Sequence, residues 1–213
     1  MSADLLLRPM ESRDVAGVVS LHGRALPADF ITSLGERFLA RVFYGSILSA
    51  PEGVSVVAER EGKLLGFVVG AYPAERWYQS LMSTHRGEFV RSSLGRLSEG
   101  PQALLELAEV GVAMLQGSSD PEGFPADLGY IAVEAETRGL GIGQKLVKRF
   151  LEVLAARGAR GCWTKTYATN AAAQRLYERS GFRPLGKRRI RRIWSVYYGI
   201  GLQPSTSAAP SRT

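Results

Sequence analysis

Leu128-Gly129-Tyr130-Ile131-Ala132-Val133, followed by Arg138-Gly139-Leu140-Gly141-Ile142-Gly143, decides the fold. The first six residues are apolar and β-prone and read as a strand. The glycines then form a tight loop. From Ile142 to Arg157 the apolar residues Leu146, Val147, Phe150, Leu151 and Leu154 recur at helical spacing, with Gly158 placed to cap the end. A strand, a glycine-rich loop and a helix in that order make an anion site. The first N–H groups of a helix lack intrahelical acceptors and carry the positive end of its dipole, so they suit phosphate. Gly139, Gly141 and Gly143 let the backbone approach closely, and Arg138 adds charge at the mouth of the loop. No Gly-Lys-Ser/Thr follows, so this is not a Walker loop, and the glycine spacing and late position do not fit a dinucleotide fingerprint.

Working outward, Gly161 to Tyr167 reads as a strand and Asn170 to Ser180 as a helix closed by Gly181. Lys187 to Tyr198 holds one or two late strands. Upstream, Leu5 to Arg8 is a short strand, Glu11 to Arg24 a helix, and Thr32 to Leu48 a second helix ended by Pro51. Val54 to Ala58 and Leu64 to Val69 form a hairpin through Arg60-Glu61-Gly62-Lys63. Between Pro73 and Pro125 the pattern weakens. Arg76 to Arg96 is expected to be helical in part, Pro101 to Gln116 to be a helix, and Gly117 to Pro125 to be loop. The apolar content there is thin for a separate core, so the segment reads as an insertion. Residues 1–202 then form one domain, and 203–213, rich in Ser, Ala and Pro, a disordered tail.

The glycine segment, with Arg138, Gly141 and Gly143 in a Gln/Arg-x-x-Gly-x-Gly/Ala pattern, resembles the central motif of the GNAT superfamily of N-acetyltransferases. Asn170-Ala-Ala-Ala173-Gln-Arg-Leu176-Tyr177-Glu-Arg-Ser-Gly181-Phe182 resembles the motif that follows it in that family. The resemblance covers roughly Asp127 to Pro184. It implies an α/β (α+β) fold: a mixed, mostly antiparallel central sheet flanked by helices, with a splayed central strand pair, here carrying a helical insertion. It implies acetyl-CoA as co-substrate and transfer of acetyl to a primary amine by direct attack in a ternary complex. In such a protein the strand before the loop ends in a bulge. Backbone groups around Ile131, Ala132 and Val133 hold the pantetheine and the acetyl carbonyl, and the Val133 N–H is placed to polarise that carbonyl. The amides from Gly139 through Leu140, Gly141 and Ile142 to Gly143 take the pyrophosphate. Tyr177 matches the tyrosine that donates to the leaving sulfur, a role a protonated phenol can fill. Asn170 suits either a cofactor contact or a helix N-cap. Asp127 stands where histone acetyltransferases of this superfamily carry a catalytic glutamate; the shorter side chain leaves it between a base, reached directly or by a water chain, and a solvated residue at a strand start.

Composition frames these expectations. With 213 residues and 45% apolar content a full core can form. A net charge of +7 favours an anionic partner. One cysteine, Cys162, and two histidines, His22 and His85, exclude a disulfide framework and a His/Cys zinc centre, so no metal is expected. Cys162 lies in an apolar strand and reads as a small hydrophobe rather than a nucleophile. Met1 to Arg8 lacks the charged head of a signal peptide and no segment is apolar enough to span a membrane, which places the protein in the cytoplasm. Lys187 to Arg192, followed by Trp194, Tyr197 and Tyr198, fits an edge strand guarded by charge better than a nucleic-acid surface. The expected partner is a small-molecule or protein amine; nucleic acid is not expected, and a homodimer is left open. The alternatives are an acyl-CoA sensor without turnover, and a nucleic-acid or membrane binder using the basic cluster. Trp77, Tyr78, His85, Arg86, Phe89 and Arg91 in the insertion are positioned to shape the acceptor side.

Overall fold

The computed structural model describes residues 4–94, 123–190 and 193–203, with backbone only at 190 and 193. The helix expected over Pro101 to Gln116 and nearly all of the expected C-terminal tail lie outside these residues. Strand β1 is Leu6–Arg8, and helix α1 is Val15–Ala25. A short helix α2, Phe30–Ser33, is followed by α3, which runs as α over Glu36–Phe38, as π over Leu39–Tyr44 and as α again over Gly45–Ser49. The single helix expected over Thr32 to Leu48 is therefore broken at Gly35, whose φ of 93° no helix accommodates. The π turn widens the buried arc of α3, so the consecutive residues Val42, Phe43 and Tyr44 are all buried.

The hairpin is β2, Gly53–Arg60, and β3, Lys63–Ala71. Its turn has positive φ at both Glu61 and Gly62, as a two-residue hairpin loop demands. Helices α4, Ala74–Thr84, and α5, Arg86–Leu94, follow. The Ala74 N–H donates to Pro125 O at 2.8 Å, so the segment between them leaves and rejoins the fold at adjacent points. Its described part is not a surface appendage. Trp77, Leu81 and Phe89 are buried in one cluster with Phe38, Phe43 and Phe67, which explains why so few apolar residues suffice there.

Strand β4 is Ala126–Val133, α6 is Ile142–Ala156, β5 is Gly161–Tyr167 and α7 is Ala171–Arg179. Strands β6, Arg183–Ile190, and β7, Ile193–Gly201, close the chain as a hairpin. The seven strands form one sheet in the order β1-β2-β3-β4-β5-β7-β6, antiparallel except for β4 with β5. The mixed, mostly antiparallel sheet is the architecture the motifs imply. Helices α1 to α4 cover one face. On the other face α6 buries Ile142, Leu146, Val147, Phe150 and Leu154 and turns Lys145, Lys148, Arg149 and Glu152 to solvent. Gly158, at φ 84°, ends α6, and Ala159 N–H reaches back to Leu154 O at 3.0 Å. The basic run 187–189 lies on β6, an edge strand as expected. Among the described residues no helix is long and apolar enough to cross a membrane.

Strand β4 pairs with β3 along its length, but the register slips between Val69↔Tyr130 and Gly70↔Leu128, leaving Gly129 as a bulge. The bulge thus sits in the middle of β4; the strand does not end in one, since Gly66↔Val133 remain paired at its end. Gly70 makes the slip possible. A Cβ there would lie 2.0 Å from Asp127 O and 2.8 Å from the Phe150 ring. Gly70→Ala is therefore expected to destabilise the fold by about 1–3 kcal/mol in urea denaturation. Gly23→Ala, in α1 with nothing within 4 Å of its would-be Cβ, is expected to stabilise it by about 0.5–1 kcal/mol.

Candidate active site

Strand β5 pairs with β4 only at Ala126↔Cys162 and Asp127↔Trp163. Beyond that point the two strands part. The last bridge is a side chain: Thr164 Oγ1 donates to Leu128 O at 2.8 Å. From Gly129 to Val133, β4 has a partner on one side only. Glu134 N–H donates to Leu65 O at 2.9 Å, and Ala132 O lies against Gly66, so these groups point toward β3. The two-residue period of the strand then turns the N–H and C=O of Ile131 and Val133 toward the gap. Ala132, grouped with them from the motif, faces the other way and serves as the spacer between two open positions.

The gap runs from this vertex to the glycine loop. Gly139 and Gly141 have φ of 84° and 75°, a conformation side chains rarely adopt, and a Cβ built on either would meet nothing within 4 Å. Ile142 is buried and anchors the helix start. Lys145 N–H to Gly141 O, 3.1 Å, is the first bond of α6, so the N–H groups of Ile142, Gly143 and Gln144 ahead of it have no i−4 acceptor, while the Leu140 N–H in the loop donates to Thr137 O at 3.4 Å. Gly143 packs beside Leu176 of α7 and Val133 of β4, which fixes the loop at the end of the open edge. Arg138 and Leu140 are exposed at the mouth. Asn170 caps α7, its side chain accepting from Ala173 N–H at 3.1 Å.

Two protonatable groups flank the vertex from opposite faces of the sheet. Tyr177 is buried on the α6–α7 face, its ring 5.7 Å from those of Phe182 and Tyr198, with its hydroxyl in hydrogen-bonding reach of Thr164. Burial pushes its phenol above the usual range, so it stays protonated at neutral pH. Asp127 is buried on the α1–α4 face rather than solvated. Its Oδ1 accepts from Ala71 N–H at 3.0 Å and its Oδ2 from the Tyr78 hydroxyl at 2.7 Å. Burial pushes its carboxyl up to about 6, against the opposing pull of those two hydrogen bonds and of the Lys165 charge. Beside it the Tyr130 hydroxyl donates to Asp29 Oδ1 at 2.9 Å. Burial lowers the Lys165 ammonium while Asp29 and Asp127 favour its charge; its side chain still reaches solvent, so that desolvation is partial. Asp29, Tyr130, Thr164 and Lys165 carry no motif and are found only through the strand geometry. Gly129, a glycine inside a strand, was the available signal for the bulge that turns Tyr130 to this face.

Other groups that could carry a proton or an acyl group lie elsewhere. His22 is fully buried, its Nδ1 2.6 Å from the Tyr44 hydroxyl and its ring against Phe67 and Tyr130; burial pulls it down to about 4, so it is a neutral core residue. His85 lines a cavity of about 240 Å³ with Ser46, Trp77 and Thr84 that contains none of these site residues. Glu134 is paired with Arg24 at 2.5 Å. Burial pushes the Cys162 thiol well up, which makes its thiolate scarce. A recess of about 450 Å³ lined by Gln144, Lys148, Leu151 and Arg179 lies outside the gap and holds none of the groups acyl transfer needs.

The acetyltransferase (GNAT) family profile matches residues 17–182. Among curated proteins no match is found. Several solved structures share the fold. The ribosomal-protein-S18-alanine N-acetyltransferase of Escherichia coli superposes with a TM-score of 0.61 at 16% identity, over 99% of this chain and 99% of that one. Ard1 from Thermoplasma volcanium gives 0.60 at 13%, over 93% and 97%. A NatC complex bound to Gag peptide and CoA gives 0.59 at 15%, over 94% and 99%.

The raised carboxyl of Asp127 has a consequence for stability. Its folded-state value, about 6, lies above the ordinary 3.8, so its contribution is complete below the ordinary value and is lost as pH rises through about 6. Asp127→Asn removes that loss. Urea denaturation at several pH values between 4 and 7 is expected to show the variant gaining on the parent as pH rises, by up to roughly 3 kcal/mol.

Proposed function

Because the chain belongs to the acetyltransferase (GNAT) family, we propose that it transfers acetyl from acetyl-CoA to a primary amine by direct attack in a ternary complex. The observation that carries this reading is the parting of β4 from β5 at Thr164, with a buried carboxylate on one face of the gap and a buried phenol on the other. The thioester supplies the activated acetyl group; the chain's residues supply position and protons. The N–H groups of Gly139, Gly141, Ile142 and Gly143 suit the pyrophosphate, while that of Leu140 is taken by Thr137 O. The open edge at Ile131 and Val133 offers strand-like hydrogen bonds to the pantetheine amides; Val133 stands at the glycine-loop end of the strand, and the Ile131 N–H, nearer the vertex, suits the acetyl carbonyl as negative charge develops there.

The amine enters from the α1–α4 face, where Asp29 and Asp127 stabilise its positive charge and Asp127 is the terminal proton acceptor. The thiol leaves on the α6–α7 face, where Tyr177 donates. Splitting base and acid between the two faces lets attack and departure proceed without competition for one proton site. Residues 1–202 act as one domain in this reading, and Cys162 takes no part. The acceptor is a small-molecule or protein amine; the likeness to a ribosomal-protein-S18-alanine N-acetyltransferase makes the second class the first to screen.

Tyr177→Phe tests the assignment. CoA-thiol release is expected to fall on the order of 10²-fold in kcat, with acetyl-CoA affinity by calorimetry unchanged. Undiminished kcat in the variant would remove Tyr177 from the chemistry.

A further inference from the structure

We propose that Tyr78, on helix α4, is the group that takes the proton from the attacking amine and passes its own to Asp127. The proposal rests on the acetyl-transfer reading and adds a catalytic residue that no motif marks.

The argument is one of access. Asp127 is 3% exposed, with one oxygen against the Ala71 N–H and the other against the Tyr78 hydroxyl. Tyr78 is half-buried and its hydroxyl covers Asp127 Oδ2, so in this relay an amine in the gap is met by the phenol and not by the carboxylate itself. The Tyr78 oxygen can accept from an amine N–H while its own hydrogen stays aimed at Asp127 Oδ2, 2.7 Å away. The ring is held for this. It packs edge-on against Trp77, centroids 4.9 Å apart, and Trp77 is itself fixed edge-on against Phe43 at 5.6 Å. The charged and titratable groups that face the pair are Asp29 and Tyr130 on the same side, and Lys165 and Cys162 from β5.

The step balances as follows. The amine lone pair forms the C–N bond and the C–S bond breaks. The nitrogen, made acidic by that bond, gives its proton to the Tyr78 oxygen. The Tyr78 hydroxyl proton moves to Asp127, and the thiolate takes the proton of Tyr177. Asp127 and Tyr177 then exchange with solvent. Burial and the Asp127 charge hold the Tyr78 phenol well above its usual range, so a free phenolate does not form and the two transfers occur together.

The test uses the full chain with methylamine at high concentration as acceptor, which requires no specific acceptor pocket, and follows CoA-thiol release. Rates are expressed per free amine. For the parent, kcat/KM is expected to rise with pH through about 6 as Asp127 ionises. Tyr78→Phe, checked for folding by urea denaturation, should lower kcat on the order of 10²-fold and abolish that rise, with acetyl-CoA affinity unchanged. Asp127→Asn should do the same, and the double variant should be no slower than either single one. A Tyr78→Phe variant that loses only stability or KM, keeping kcat and the pH rise, would make Tyr78 structural and overturn the relay. The same result together with an inactive Asp127→Asn would leave Asp127 as a direct base. Full activity in both variants would overturn the base and the relay together while leaving Tyr177 and acetyl transfer standing. No thiol release by the parent above the uncatalysed rate would overturn the acetyl-transfer reading itself.

Discussion

Strand β4 keeps its partner β3 throughout but shares only two residue pairs with β5, and the rest of the site depends on that inequality. A strand with one unpaired edge inside a sheet exposes N–H and C=O groups that need partners. At Ile131 and Val133 those groups line a gap that ends at the start of α6, where more N–H groups lack acceptors. A ligand carrying amides along its length and phosphates at one end satisfies both sets. The loop glycines matter mainly through backbone shape, since Gly139 and Gly141 need positive φ and have open space around them.

The bulge at Gly129 gives the gap its two chemical faces. Without it, Leu128 and Tyr130 would lie on the same face. With it, Leu128 packs with Tyr177 and α6, while Tyr130 joins Asp127, Tyr78 and the α1–α4 face. Gly70 opposite the slip is what lets the strands approach there. A carboxylate buried on one side is hard to ionise, and a phenol buried on the other is hard to deprotonate. Those are the tendencies wanted in a base that must take a proton from the amine and an acid that must hold its own until the thiolate forms.

Much of this was legible in the chain. The segment from β4 to α7 is read almost residue for residue, because each element there has its own signal: a glycine loop, a helical stripe from Leu146 to Leu154, and an asparagine that does cap its helix. The basic run at 187–189 reads correctly as an edge. What failed was long-range. The expected bulge was put at the end of β4, because its true position depends on Gly70, remote in sequence. Asp127 is left between a base and a solvated residue at a strand start, because the Tyr78 that covers it is 49 residues away. The Pro73–Pro125 segment reads as too thin in apolar residues for a core of its own, and what the sequence does not show is that Trp77, Leu81 and Phe89 complete a core whose other members belong to α1, α3 and β3.

Amide hydrogen exchange, resolved by NMR with and without acetyl-CoA, tests most directly whether the gap is the cofactor site. The geometry predicts new protection at Ile131 and Val133 and at Gly139, Gly141, Ile142 and Gly143, with no change at Ala132, which already faces β3. Binding that protects none of these amides, or Ala132 as strongly as its neighbours, would contradict the account.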